Sequence, residues 1–247
     1  MPKKHNILLI ICDALRPDFL GCYTKAEANT PTIDNLAENS VLFQNAIAPG
    51  CGTPLSVPEL LTSTYPSIHG DYFLTSPENK LSGLLQANGW DTAAISTNAY
   101  LSPIFGYNRG YNHFQYLSKR NEIYLLYYFY RRLIELKDAL SKKGFSKLLE
   151  FLITLLPLPQ VRPPYASAAE VTKKAITWLN KLSEPFFLWL HYMDPHGPYV
   201  PPLSSLLHTK RKRGEKRWKW IYRAEIQFLD ANLGKLIQYL RSRDFWS

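Results

Sequence analysis

The chain has 247 residues, 46% hydrophobic and 20% charged, and a formal net charge of +9. That length and mix suit one large globular domain or one and a half ordinary ones, and exclude a disordered or low-complexity chain. The positive balance points to acidic partners: anionic substrates, nucleic acid or a membrane surface.

Three cysteines, Cys12, Cys22 and Cys51, make no disulfide framework, so a reducing, cytoplasmic setting is expected. The opening MPKKHNILLIICD has a basic start, but its apolar run is too short for a signal segment or a membrane span. It reads as a strand over residues 6–12, apolar on both faces as in a buried parallel sheet. Asp13 stands at its C-terminal end, and Arg16 follows.

Thr30 and Pro31 open a short helix that runs to about Glu38. Residues 41–46 read as an extended segment. The stretch 46–70 is a loop punctuated by Pro49, Gly50, Gly52 and Pro54, then a helix with Ser56 and Glu59 at capping-box spacing. That places Thr53 just before a helix N-terminus, where the dipole favours negative charge on an oxygen nucleophile. A capped helix with a threonine in its loop is the plain alternative.

Residues 81–88 form a helix stopped by Gly89, and residues 92–96 a second buried strand with Asn98 just past its end. Residues 105–114 read as a loop. Residues 122–156 are two apolar helical patterns split at Gly144, an inserted hairpin within 119–160 or a membrane-surface element. Residues 166–182 are helical, and FFLWLHY is a third buried strand, followed by Asp194 and His196. The basic run at 210–219 reads as a solvated surface or a contact for acidic polymer or lipid head groups. The last helix covers residues 222–243.

Strands alternating with helices predict a mostly parallel sheet between helices, with ligands beyond the carboxyl ends of the strands. Asp13, Thr53, and the group His191, Asp194 and His196 all fall at that edge. Taken singly, Asp13 reads as a helix cap, His191 as a core histidine and Asp194 as turn chemistry. Together they suit transfer of a charged oxyanion ester: Asp13 as a hard metal ligand, Thr53 as nucleophile, and the histidines as groups that bind or protonate the ester.

NILLIICDALRPDFLGCY, TPTIDNLAENSVLFQNAIAP, TPLSVPELLTSTYPSIHG, FLWLHYMDPHGPYVPP and YRAEIQFLDANLGKLIQYL occur in order. As a set they resemble the N-terminal part of the sulfatases within the alkaline-phosphatase superfamily. The resemblance implies an α/β sandwich over 1–247 and a sulfate- or phosphate-ester hydrolase. It matches Asp13 to the first metal-ligand aspartate, Thr53 to the nucleophile that also touches the metal, and His196 and His191 to the substrate-side histidines. Arg16, Asn98 and Asp194 are further substrate-side candidates. The implied cofactor is a divalent metal (Ca, Mg, Mn or Zn), with Ca expected of a sulfatase.

The sequence departs from the family in several places. Thr53 is followed by Pro54-Leu55-Ser56-Val57, with no arginine at the fourth place, so formylglycine is not expected. Cys51 is an alternative nucleophile two residues early. A threonine resembles instead the members that transfer phosphoglycerol or phosphoethanolamine. Ala14 stands where the family often has a second aspartate. The resemblance also implies an Asp-His or Asp-Asn pair after the last helix, and the sequence ends at Ser247 before one. The readings are therefore an enzyme, a non-catalytic remnant, or a module for acidic polymer or membrane. No nucleic-acid motif is present.

Overall fold

The computed structural model describes residues 4–24, 28–65, 74, 80–117, 165–243 and 245. The chain divides into two compact units, residues 1–118 with 165–247, and residues 119–164. The expected helical insertion at 119–160 and the membrane-contact reading of 122–156 lie outside the described residues.

Four strands form a sheet: β1 (Ile7–Cys12), β2 (Asp91–Ser96), β3 (His113–Tyr116) and β4 (Phe186–Tyr192). The order is β1-β4-β2-β3 and every pairing is parallel. Cys12 pairs with Tyr192 and Ile95 with Leu190, so the carboxyl ends of the three longest strands lie level. β3 begins inside the loop expected over residues 105–114 and runs two residues beyond it.

Six α-helices accompany the sheet among the described residues: α1 (Pro31–Glu38), α2 (Thr53–Thr62), α3 (Leu81–Ala87), α4 (Ala168–Leu179), α5 (Leu203–His208) and α6 (Arg217–Ser242). The period of two along β4 sorts them into two layers. Leu188, Leu190 and Tyr192 pack with Val171, Ala175, Leu229, Leu233 and Leu236 of α4 and α6. Phe187 and Trp189 pack on the opposite face with Val57 and Leu61 of α2. β4 is buried along its whole length, which is why it carries no polar-out alternation.

Two local expectations are corrected. Residues 41–46 form no strand, and Val41, Phe43 and Ile47 stand exposed. The capping box at Ser56 and Glu59 is not formed. The helix begins earlier, at Thr53, because Gly52 takes the extended N-cap conformation and Pro54 fits a first turn. Ser56 Oγ instead donates back to the Gly52 carbonyl at 3.1 Å, and Glu59 is buried.

Among the described residues no helix is long and apolar enough to cross a membrane. All three cysteines are free thiols.

Candidate active site

Three strand ends and one helix start build the site. Asp13 follows β1, and its backbone N–H donates to the Tyr192 carbonyl at 2.9 Å, which continues the β1–β4 ladder by one rung. The next residue, Ala14, turns the chain with a φ of 56°. Thr53 is the first residue of α2. The loop before it passes so close to Leu55 that a side chain at Gly50 would meet Leu55 Cβ at 2.4 Å. Asn98 follows β2 and starts a short 3-10 turn, accepting from the Tyr100 backbone N–H at 3.0 Å. That bond fixes the amide so that its nitrogen faces the site. His191 is the sixth residue of β4 and falls on the α2 face of the sheet, beside Trp189 at 6.3 Å between rings.

Thr53 Oγ1 donates to Asp13 Oδ2 at 2.8 Å. Asn98 Nδ2 donates to the same carboxylate oxygen at 3.1 Å and reaches Thr53 Oγ1 at 3.3 Å and Met193 Sδ at 3.5 Å. His191 Nε2 lies 3.5 Å from Asp13 Oδ2. Burial lowers the His191 pKa to about 4, against the pull of Asp13 and with a smaller push from His196, so the ring is neutral at pH 7. A neutral imidazole beside a carboxylate is not an ion-pair partner, and both His191 ring nitrogens are buried without a hydrogen-bond partner among the described residues. Beneath the site, burial raises the Cys12 thiol to about 12, which makes it inert as a nucleophile.

The loop after β4 carries His196 and is tied down at three places. Asp194 Oδ1 accepts from the Ala168 N–H at the start of α4, at 2.8 Å. The Tyr165 hydroxyl donates to the His196 carbonyl at 2.5 Å. Glu225 on α6 accepts from the Val200 N–H at 2.6 Å. Burial raises Asp194 to about 6 and Glu225 to about 8, each helped by a neighbouring carboxylate.

The structure thus brings Asp13, Thr53, Asn98 and His191 together. His196 is near enough to act on His191 electrostatically, and its Nδ1 lies 2.7 Å from the Gly197 carbonyl. Asp194 spends one oxygen on α4. Arg16 turns to Asp18 instead, with Nη2 to Oδ2 at 2.7 Å. Met193, Tyr165 and Glu225 were not singled out from sequence. Met193 lies between two residues that were, and its neighbourhood was the available signal; nothing in the sequence marks the other two.

Asp13 Oδ2 and Thr53 Oγ1 are the oxygens that could face a hard cation. Among the described residues there is no group of three or more His, Cys, Asp and Glu able to hold a metal ion. The described set therefore fits only part of such a shell.

The Sulfatase family model matches residues 5–246, and the chain belongs to that family. It is 28% identical over 218 residues to iduronate 2-sulfatase of Mus musculus, covering 80% of this chain and 36% of that protein. Its fold is similar to Ps i-CgsB in complex with k-i-k-neocarrahexaose, with a TM-score of 0.69 and 20% identity, covering 99% of this chain and 56% of the other. It is also similar to an alkaline phosphatase superfamily protein of Vibrio parahaemolyticus, with a TM-score of 0.63 and 15% identity, covering 100% of this chain and 52% of the other. The chain spans between about a third and a little over half of the length of these relatives.

Proposed function

We propose that this chain carries the nucleophile side of a metal-dependent hydrolase of sulfate or related phosphate esters. The observation that carries the reading is the 2.8 Å hydrogen bond from Thr53 Oγ1 to Asp13 Oδ2 at the start of α2. Asp13 is placed to take the hydroxyl proton as Thr53 Oγ1 attacks the central atom of the ester. The ester bond to the leaving oxygen breaks, and His196, on its tethered loop, is the group to protonate that oxygen; water then gives a proton back to His196 and attacks the group held on Thr53, whose Oγ1 leaves with the proton kept by Asp13. Neutral His191 and the Asn98 amide hydrogen-bond the oxyanion and keep Thr53 aimed. Arg16 and Asp194 act at a distance, Arg16 on charge arriving from solvent and Asp194 on the His196 loop.

A divalent metal, when bound, would neutralise charge at the attacked centre and lower the hydroxyl pKa. Asp13 and Thr53 would hold it, with further ligands from outside the described residues. Calcium is the metal the family membership favours.

A second reading is transfer of a phosphate-linked group rather than hydrolysis. It is favoured by a threonine, not a cysteine or serine, at the attacking position, which also argues against formylglycine.

The test uses the full-length protein with aryl sulfate and aryl phosphate esters. Thr53→Ala should abolish cleavage of whichever ester the wild type accepts. Turnover that survives the substitution would assign the attack to another residue. Peptide mass spectrometry across residues 46–65 should find Thr53 and Cys51 unmodified.

A further inference from the structure

α6 reaches both sides of the candidate active site. The Tyr222 hydroxyl donates to the Ala14 carbonyl at 2.7 Å and accepts from the Arg16 N–H at 3.0 Å, so it braces the turn that follows Asp13. Glu225, three residues on and on the same side of the helix, accepts from the Val200 N–H at 2.6 Å and braces the loop that carries His196. The two braces meet where the Tyr199 ring of that loop lies 5.2 Å from the Tyr222 ring.

A carboxyl is an unusual group for that place. Glu225 and Asp194 are each 3% exposed. Asp194 Oδ1 accepts from the Ala168 N–H, but its Oδ2 is buried with no hydrogen-bond partner among the described residues. The groups around the pair are acidic or neutral. Asp194 acts on Glu225 from the loop after β4, and Glu170 acts on Asp194 from α4. Tyr165, just before α4, feels Glu225, Asp194, Tyr199 and Asp13, while Cys12 of β1 and Tyr192 of β4 feel Asp194. α5 is held to α6 by Ser205 Oγ, which donates to the Ala224 carbonyl at 2.7 Å. The titratable group of α5, His208, has its Nδ1 2.6 Å from the Ser204 carbonyl. The nearby cations are engaged elsewhere: Arg223 with Glu215 and the Lys210 carbonyl, and Arg16 with Asp18. Asp230, further along α6, faces the N–H groups of α1. With no cation among the groups that act on it, Glu225 is pushed by burial and by Asp194 up to about 8, while burial takes Asp194 to about 6. Near neutral pH the pair therefore carries one negative charge, on Asp194, and one proton, on Glu225.

We propose that Glu225 is a positioning residue for the step at the leaving oxygen: protonated, it latches the His196 loop to α6, and on losing its proton it releases the loop. The proposal rests on the reading of His196 as the group that protonates that oxygen. Ionised Glu225 and Asp194 repel each other in a buried pocket with no cation in its walls. The open side of that pocket is at Tyr199 and Val200, 36% and 37% exposed, so the ionised carboxylate is driven toward solvent there. The Val200 N–H is given up as Glu225 leaves, and the loop slackens. Tyr165, which donates to the His196 and Pro198 carbonyls, is then the remaining tie.

The experiment is hydrogen exchange by mass spectrometry on the full-length protein between about pH 6.5 and 9.5, corrected for the intrinsic rate at each pH. The loop peptide, residues 194–202, is compared with β4, which reports opening of the whole fold. In the wild type, loop protection should fall about tenfold for each pH unit above about 8, one proton being lost per opening, and β4 protection should fall less. Glu225→Gln keeps an acceptor for the Val200 N–H and has no proton of this kind to lose, so its loop protection should not change with pH. Glu225→Ala should exchange at every pH as the wild type does above about 8. Turnover gives a second readout. An alkyl ester needs a proton on its leaving oxygen and a nitrophenyl ester does not. Over one pH unit above about 8, the ratio of alkyl to nitrophenyl turnover should fall about tenfold further in the wild type than in Glu225→Gln.

Loop protection that ignores pH in the wild type, or falls equally in Glu225→Gln, overturns the proposal. So does a loop that loses protection only in step with β4, which would make Glu225 a matter of overall stability. A loop that titrates as expected beside an equal turnover ratio in the two proteins also overturns it, because the latch then does not serve the leaving oxygen. A loop that titrates in a protein that cleaves neither ester overturns the reading of the active site instead, and leaves the latch standing.

Discussion

At the scale of single residues, the decisive contact is between two side chains forty positions apart in sequence. Asp13 Oδ2 collects a hydroxyl from Thr53, an amide from Asn98 and the edge of the His191 ring. Three groups converge on one oxygen of a carboxylate whose negative charge is shared by both oxygens. Asp13→Asn replaces an acceptor with a group that is half donor. It should lower ester turnover about 10²–10⁴-fold, the usual range for a lost proton acceptor. Kinetics on the full-length protein check this, with elemental analysis of the same sample for reduced metal content. Wild-type turnover in Asp13→Asn would remove Asp13 from the reaction.

The elements show which ends are held from a distance. The sequence puts Thr30 at the start of α1, and the expectation was that its side chain caps the helix. It hydrogen-bonds Asp34 instead, at 3.1 Å. The cap comes from α6, where Asp230 accepts from the Thr32 and Ile33 N–H groups at 3.1 and 2.9 Å. A carboxylate at a helix N-terminus satisfies orphan donors and complements the dipole. Asp230→Ala should therefore destabilise the fold by about 0.5–2 kcal/mol. Denaturant unfolding measures it. A loss no larger than that of a surface alanine substitution would show that water replaces the cap. No local motif could have signalled this pairing, since the partners are nearly two hundred residues apart. By contrast Glu170, three residues after Ser167, accepts from the Ser167 N–H at 2.9 Å, a local pairing that the reading of 166–182 as helix did not single out.

For the whole molecule, buried titratable groups at the site set a pH profile. Burial lowers His191 from 6.5 to about 4, so the unfolded chain binds the extra proton between those values and stability rises with pH there. Burial raises Glu225 from 4.5 to about 8, so the folded chain keeps a proton that the unfolded chain releases. Its contribution is full below 4.5 and is lost as pH rises through about 8. Above 6.5 the histidine no longer opposes it. Melting temperatures from pH 6.5 to 8 should fall in the wild type, and Glu225→Gln should flatten that slope. An equal slope in both proteins would place the titration elsewhere.

The sequence by itself determined the parallel α/β architecture. The continuous apolar runs NILLIIC and FFLWLHY marked strands of a parallel sheet between helical layers; FFLWLHY became the fully buried β4, whereas NILLIIC became β1, which among the described residues pairs on one side only and is half-buried. It also set Asp13, Thr53 and the group His191, Asp194 and His196 at one strand edge, with Asn98 just past the second strand, because chemistry in such sheets lies beyond the carboxyl ends; only the structure drew Asn98 into contact with Asp13 and Thr53. Only the tertiary structure decided where α2 begins, that β3 closes the sheet, and that Arg16 turns from the site to Asp18. It alone revealed that Tyr165 and Glu225 hold the His196 loop. Those outcomes depend on hydrogen bonds and burial between segments far apart in the chain, and periodicity and spacing report only what neighbours in sequence can do.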